Sequence, residues 1–155
     1  MTGICHYERT IQASRETVWG ILTNCRKWGE ISALADWFGR VEWFEGEPWK
    51  VGSRILIEHY WPTQRDVRLV LVTFKAPEEF AWIGHGNNVT AHQQIRLEAI
   101  NQRTCRLTSS MSFATLGNGV PSKEVDAMAE RLLRTFLDAV AGHSEAALAK
   151  TRKAG

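Results

Sequence analysis

Five side chains in this 155-residue sequence could grip or act on a small molecule from one shared surface: Tyr7, Arg9, His59, Gln93 and Ser109. Each lies on the face of a predicted strand that apolar/polar alternation turns inward. Proton transfer needs a titratable group in a partly dry pocket, which makes His59, Arg9 and Tyr7 the candidates for it. Arg9 would meet a carboxylate, and Gln93 and Ser109 would donate hydrogen bonds. The competing reading is that these groups sit near strand ends and bond one another. Around them falls an apolar set: Trp43, Ile55, Ile57, Trp61, Trp82 and Met111 from the strands, with Met128, Leu132 and Phe136 from a C-terminal helix. Such residues line ligand pockets, or they fill a core at crystal-like density.

Other chemistries find no support in the spacing. His85 and His92 stand seven apart across a loop with no further ligand at metal-binding distance in sequence. Gly84-His85-Gly86 and Gly117-Asn118-Gly119 match neither phosphate-loop pattern and read as turns. There is no G-x-S-x-G elbow, and Cys5, Cys25 and Cys105 have no His/Asx set by sequence. No catalytic residue, metal ligand or cofactor is therefore assigned.

The elements that must position the candidates follow from periodicity. Residues 4–12 read as a strand with Cys5, Tyr7, Arg9 and Ile11 on one face. Ser14 is a good N-cap for a short helix carrying Val18, Trp19, Ile21 and Leu22, and a second short helix is predicted over about 26–36. Strands follow over 41–45, 53–61, 65–75, 80–85, 89–100 and 104–114, with Pro62-Thr63-Gln64 as a hairpin loop. Alternation does not settle the facing of 65–75, because Val70, Val72 and Phe74 share one face while Leu69 and Leu71 share the other. If Leu69, Leu71 and Leu56 point outward, they would favour a homodimer. From Ser122 to about Lys150, Val125, Met128, Ala129, Leu132, Leu133, Phe136, Leu137 and Val140 repeat at helical spacing. Lys123, Asp126, Glu130, Arg131, Arg134 and Asp138 are placed on the opposite, solvent side. Gly142 predicts a bend or an end to this helix, with a cavity mouth nearby.

Strands joined by short turns imply an antiparallel sheet, each strand mostly apolar on one side and polar on the other. The expected architecture is α+β, one domain over 1–155. A curved antiparallel sheet of six to seven strands surrounds a long C-terminal helix, and two short helices follow the first strand. A net charge of +2, without a concentrated basic patch, gives no reason to expect nucleic acid as a partner. No window is long and apolar enough for a membrane span. The N-terminus shows no signal-peptide pattern, and three cysteines without CxxC spacing suit a reducing compartment, so a cytoplasmic location is expected.

Several local stretches, taken in order, resemble the START-like (SRPBCC) superfamily, which includes polyketide cyclases, the birch-pollen allergen group and relatives of the Hsp90 ATPase activator. They are Arg9 to Trp19, with Ile11 two before Ala13 and then Val18-Trp19; Trp28; Val51-Gly52-Ser53; Ala76-Pro77 through Phe80-Ala81-Trp82-Ile83-Gly84; Gln93 to Glu98; and Thr104 to Leu107. The likeness covers essentially the whole chain. It implies a helix-grip fold with an internal cavity for a hydrophobic ligand. Many relatives carry a His on the penultimate strand and a Glu on the last, where this sequence has Gln93 and Met111. The missing polar pair favours a binder of a small hydrophobic molecule (lipid, polyketide or aromatic-like). The alternatives are a cyclase or dehydratase on a polyketide-like substrate and a protein-interaction module.

Overall fold

The computed structural model describes residues 2–60, 65–86, 89–115 and 122–154. The strands are Thr2–Ile11 (β1), Phe38–Glu45 (β2), Arg54–His59 (β3), Arg65–Lys75 (β4), Glu79–Gly86 (β5), Val89–Asn101 (β6) and Thr104–Thr115 (β7). They form one antiparallel sheet in the order β1-β7-β6-β5-β4-β3-β2. Every neighbour from β2 to β7 is consecutive in sequence. Only β1 is added from far away, on the open side of β7. The helices are Arg15–Thr23 (α1) and Ser122–Ala154 (α2).

Local chemistry explains the elements. Ser14 caps α1 through its hydroxyl, which accepts from the Thr17 backbone N–H at 3.2 Å. In place of the single second helix expected over 26–36 there are two short 3-10 helices, Cys25–Glu30 and Ser32–Leu34. The Ile31 backbone between them is extended and its N–H bonds back to the Trp28 carbonyl, which interrupts the run. β2 opens earlier than alternation suggests, with Phe38 already paired to His59. The turn at 62–64 lies outside the described residues.

Bulges shape the sheet. Register shifts fall between Phe38 and Val41, Trp43 and Glu45, Leu71 and Thr73, and Ala99 and Asn101. Each adds a residue to one strand and increases local twist, which curls the sheet around α2. The shift in β4 also settles its facing. Leu69 and Leu71 point inward, Leu71 being fully buried, and after the extra residue Phe74 points inward as well. The outward grouping of Leu56, Leu69 and Leu71 expected to favour a homodimer therefore does not form. Leu56 alone lies on the outer face, in register with Glu42 and Arg68.

The core lies between the concave face, α2 and the short helices. Its buried apolar side chains fall into two clusters. The larger takes in Ile11, Val18, Leu22, Trp28, Phe38, Ile55, Leu71, Phe80, Trp82, Ile95 and Leu107, with Phe136, Leu137, Ala139, Val140 and Ala141 of α2. The smaller holds Cys5, Phe113, Ala129 and Leu133. Fully burying a Leu, Ile or Phe side chain contributes about 1.5–3 kcal/mol, so the larger cluster dominates the folding energy.

α2 is continuous through Gly142, contrary to the expected bend or end there. A Cβ at Gly142 would meet nothing within 4 Å, and the residue is exposed. The roughly 1 kcal/mol helix penalty of glycine is outweighed by the burial of Val140 and Ala141 before it, and beyond it the buried Ser144 hydroxyl donates to the Val140 carbonyl at 2.7 Å. Among the described residues no helix is long and apolar enough to cross a membrane, and no group of three or more His, Cys, Asp or Glu could hold a metal ion.

Candidate functional site

The level between the two apolar clusters can be followed strand by strand. Along β7, Cys105 and Leu107 belong to the larger cluster and Phe113 to the smaller; Ser109 and Met111 come between. Along β6, Ile95 and Leu97 belong to the larger cluster, Ala91 packs on the smaller, and Gln93 comes between. Pairing puts these residues at one height: Gln93 stands opposite Met111, Ser109 opposite Ile95, and Tyr7 opposite Ser109. From α2, Leu132 packs on the larger cluster, and it and Met128, one turn earlier, are both half-buried.

A hydrogen-bond relay crosses this level. The buried Trp82 indole N–H donates to Gln93 Oε1 at 3.0 Å. Gln93 Nε2 donates to Ser109 Oγ at 3.3 Å, and the fully buried Ser109 hydroxyl donates to the Gln94 carbonyl at 3.0 Å. The relay has one sense only. An indole nitrogen can only donate, so Gln93 must present its oxygen to Trp82 and its nitrogen to Ser109. Gln93, Met111 and Ala91 point toward α2 and are nevertheless only half-buried.

Tyr7 and Arg9 are held elsewhere. The Tyr7 hydroxyl and Arg9 Nη1 each donate to Asp138 Oδ1 at 2.7 Å, so one carboxylate of α2 clamps two residues of β1. Arg134, one turn before Asp138, lies with its guanidinium carbon 5.4 Å from the centre of the Tyr7 ring. One turn beyond Gly142, Glu145 accepts from the Gln12 backbone N–H at 3.0 Å. The Asp138 hydrogen bond, then partial desolvation, push the Tyr7 hydroxyl above its ordinary value, so the tyrosine is neutral at neutral pH. The same hydrogen bond holds the Arg9 guanidinium still more firmly protonated. Asp138, read from periodicity as a solvent residue, is thus a structural partner of two candidate site residues.

Four further candidates come from strands at the opposite edge of the sheet from β1. Trp43, Ile55, Ile57 and His59 come from β2 and β3, with Ile55 and Ile57 buried in the larger cluster. His59 is buried, with Phe38 edge-on at 5.2 Å and Trp37 at 6.3 Å. It stands five strand positions from β1, roughly 24 Å along the sheet at about 4.8 Å per strand, so the fold does not bring His59 and Arg9 to a common point along it. Phe136 is buried 4.9 Å from the Trp28 ring, a core contact. Trp61 lies outside the described residues.

Trp49 was not foreseen at all. It leads out of the β2–β3 turn with φ of 63°, a left-handed conformation unusual for a bulky residue. Its ring lies 5.1 Å from Trp43, 5.0 Å from Phe80 and 5.5 Å from Phe74, and its indole N–H donates to the Thr23 carbonyl at 3.0 Å. It also lies nearly parallel to Trp82 at 6.2 Å, behind the start of the relay. The only sequence cue to this placement is Gly46-Glu47-Pro48, a turn signal immediately before it.

The cysteines are buried. Burial pushes the Cys25 and Cys105 thiols up to about 11, which removes the thiolate that a nucleophile or metal ligand requires.

No family model matches the chain, and no curated protein sequence matches it. Solved structures do. A START superfamily protein from Mycobacterium smegmatis superposes with a TM-score of 0.77 at 11% identity, covering 92% of this chain and 97% of the other. The Zhui aromatase/cyclase from Streptomyces sp. R1128 gives 0.77 at 16% identity, covering 94% of each. Ara h 8.0201 gives 0.75 at 12% identity, covering 93% and 98%. The chain therefore has the helix-grip fold of these START-like structures, a seven-stranded curved antiparallel sheet closed by a long C-terminal helix.

Proposed function

We propose that this protein holds a small hydrophobic molecule between the concave face of its sheet and α2. The observation that carries this reading is the belt between the two apolar clusters. Gln93, Met111 and Ala91 face the helix and remain half-buried, and Met128 and Leu132 of α2 are half-buried as well. Inward side chains that keep solvent contact mark space the protein does not itself fill, and an apolar wall with a few placed polar groups is the usual character of a ligand site. Leu69, also half-buried and packed on the larger cluster, extends the apolar wall. The larger cluster, with Trp82, Ile55, Ile57 and Phe136, forms its floor.

The same belt favours holding over proton transfer. Trp82, Gln93 and Ser109 give directed hydrogen bonds but none titrates near neutral pH. Tyr7 and Arg9 are engaged with Asp138. The fold shared with an aromatase/cyclase is compatible with the reading, since a site that only orients a reactive chain needs the same contacts.

The test is native mass spectrometry of the protein purified from its source, joined to titration with the uncharged dye Nile red. The expected result is a bound species of a few hundred daltons or, if the ligand is lost on purification, saturable dye binding at one site per chain. A bare-chain mass together with no dye binding overturns the proposal.

A further inference from the structure

We infer that the ligand of this site carries a neutral hydrogen-bond acceptor, a carbonyl-type oxygen on an apolar body, and that Gln93 selects it; this rests on the ligand-binding reading above. The relay has a fixed sense. The Trp82 indole can only donate, so Gln93 Oε1 must face it. The Ser109 hydroxyl spends its hydrogen on the Gln94 carbonyl, so it meets Gln93 only as an acceptor. The Gln93 amide therefore cannot flip without breaking both contacts. Its nitrogen carries two hydrogens and uses one on Ser109. Among the described residues no acceptor takes the second.

That second N–H is a donor of known orientation on the concave face, beside Met111 in register across β7. A carbonyl oxygen satisfies it directly. A carboxylate would have to shed its hydration for one neutral donor, which costs more than the single bond returns. The cations described near this side are already engaged, Arg9 with Asp138 and Arg134 with Glu130. A pure hydrocarbon would displace water from the amide and leave it unsatisfied. The relay thus ranks ligands: neutral acceptor first, hydrocarbon next, carboxylate last.

The experiment uses three probes of one ring size and substitution position: acetonaphthone, isopropylnaphthalene and naphthoate. Affinities for the full chain are measured by tryptophan quenching and checked calorimetrically. The ketone is expected to bind about five- to tenfold more tightly than the hydrocarbon, the range of one neutral hydrogen bond, with naphthoate weakest. In Gln93→Leu the ketone's advantage should shrink to within about twofold, since the donor is gone. Because that change also strips Trp82 of its acceptor, Gln93→Glu is measured alongside. It keeps an oxygen for the indole and removes the N–H, and the ketone preference should vanish there too. Equal binding of ketone and hydrocarbon to the unsubstituted protein overturns this inference and leaves ligand binding standing, as does a preference that survives both substitutions. Binding of none of the three probes, with no Nile red binding and a bare-chain mass, overturns the ligand-binding reading and this inference with it.

Discussion

Replacing Asp138 with alanine should loosen α2 from the edge of the sheet by a measurable amount. One oxygen of this side chain accepts from both the Tyr7 hydroxyl and Arg9 Nη1, each at 2.7 Å. Arg9 and Asp138 keep 38% and 39% of their side-chain surface in solvent, so their ion pair is screened. It is worth about 0.5 kcal/mol at that exposure. The Tyr7 bond to a charged acceptor is half-buried and adds about 1–1.5 kcal/mol. The total of about 2 kcal/mol corresponds to a fall in Tm of about 4–8 °C for a chain of this length. Thermal unfolding followed by circular dichroism measures it. A double-mutant cycle with Tyr7→Phe isolates the shared contact, with an expected coupling of about 1 kcal/mol. The pH dependence has a definite sign. The Tyr7 hydroxyl is raised above its ordinary value, so its contribution is fully present below pH 10, where the unfolded tyrosine is neutral. It is lost as pH rises through the folded value. The stability gap between the parent chain and Tyr7→Phe should close in that alkaline range. A Tm change under about 1 °C for Asp138→Ala, or full additivity with Tyr7→Phe, would refute the reasoning.

Two further outcomes follow from the same structure. Gly142→Ala should raise stability by about 0.5–1 kcal/mol in denaturant titration, because the new methyl group meets open space inside a continuous helix; a loss of stability would mean that the helix is not regular there. Cys25 and Cys105, with thiols pushed up to about 11 by burial, should react with a disulfide reagent at pH 8 far more slowly in the folded protein than in denaturant. Their contribution to stability is present below the unfolded thiol value and falls as pH rises toward 11, so native and denatured rates at pH 8 should differ clearly.

The architecture was legible because most strands alternate cleanly and the α2 stripe repeats at helical spacing. Gln93, Ser109 and Met111 point inward as alternation requires, and no bulge interrupts β7 across its pairing with β6 from residue 105 to 115. Where legibility failed, a bulge or a boundary residue was responsible. Alternation left the facing of Leu69 and Leu71 against Phe74 open because one extra residue in β4 reverses the parity between them. Asp138 read as solvent-facing because a helical wheel places it at the rim of the apolar stripe, and a rim residue is exposed or tethered according to what the neighbouring strand offers. β1 offers Tyr7 and Arg9. Trp49 was invisible because a left-handed φ at a tryptophan has no compositional signal. Tyr7 and Arg9 were correctly read as inward, but the side chain they meet lies more than 125 positions away, a pairing no local pattern encodes.

The addition of β1 to the far edge has a consequence for how the chain assembles on the ribosome. Among the described residues β1, Thr2–Ile11, pairs only with β7, Thr104–Thr115, which is made after the five strands between them. Until that strand emerges, Cys5 and Ile11 have no buried site and the first strand has no neighbour. The six strands β2 to β7 can zip in sequence as consecutive hairpins, each closing a short loop. β1 must instead close a loop of roughly a hundred residues, and α2 can clasp Tyr7 and Arg9 only after that. High sequence separation between partners slows folding, so β1 waits unpaired while β2 to β7 are made. Its docking is the event that completes both the sheet and the seat of the helix.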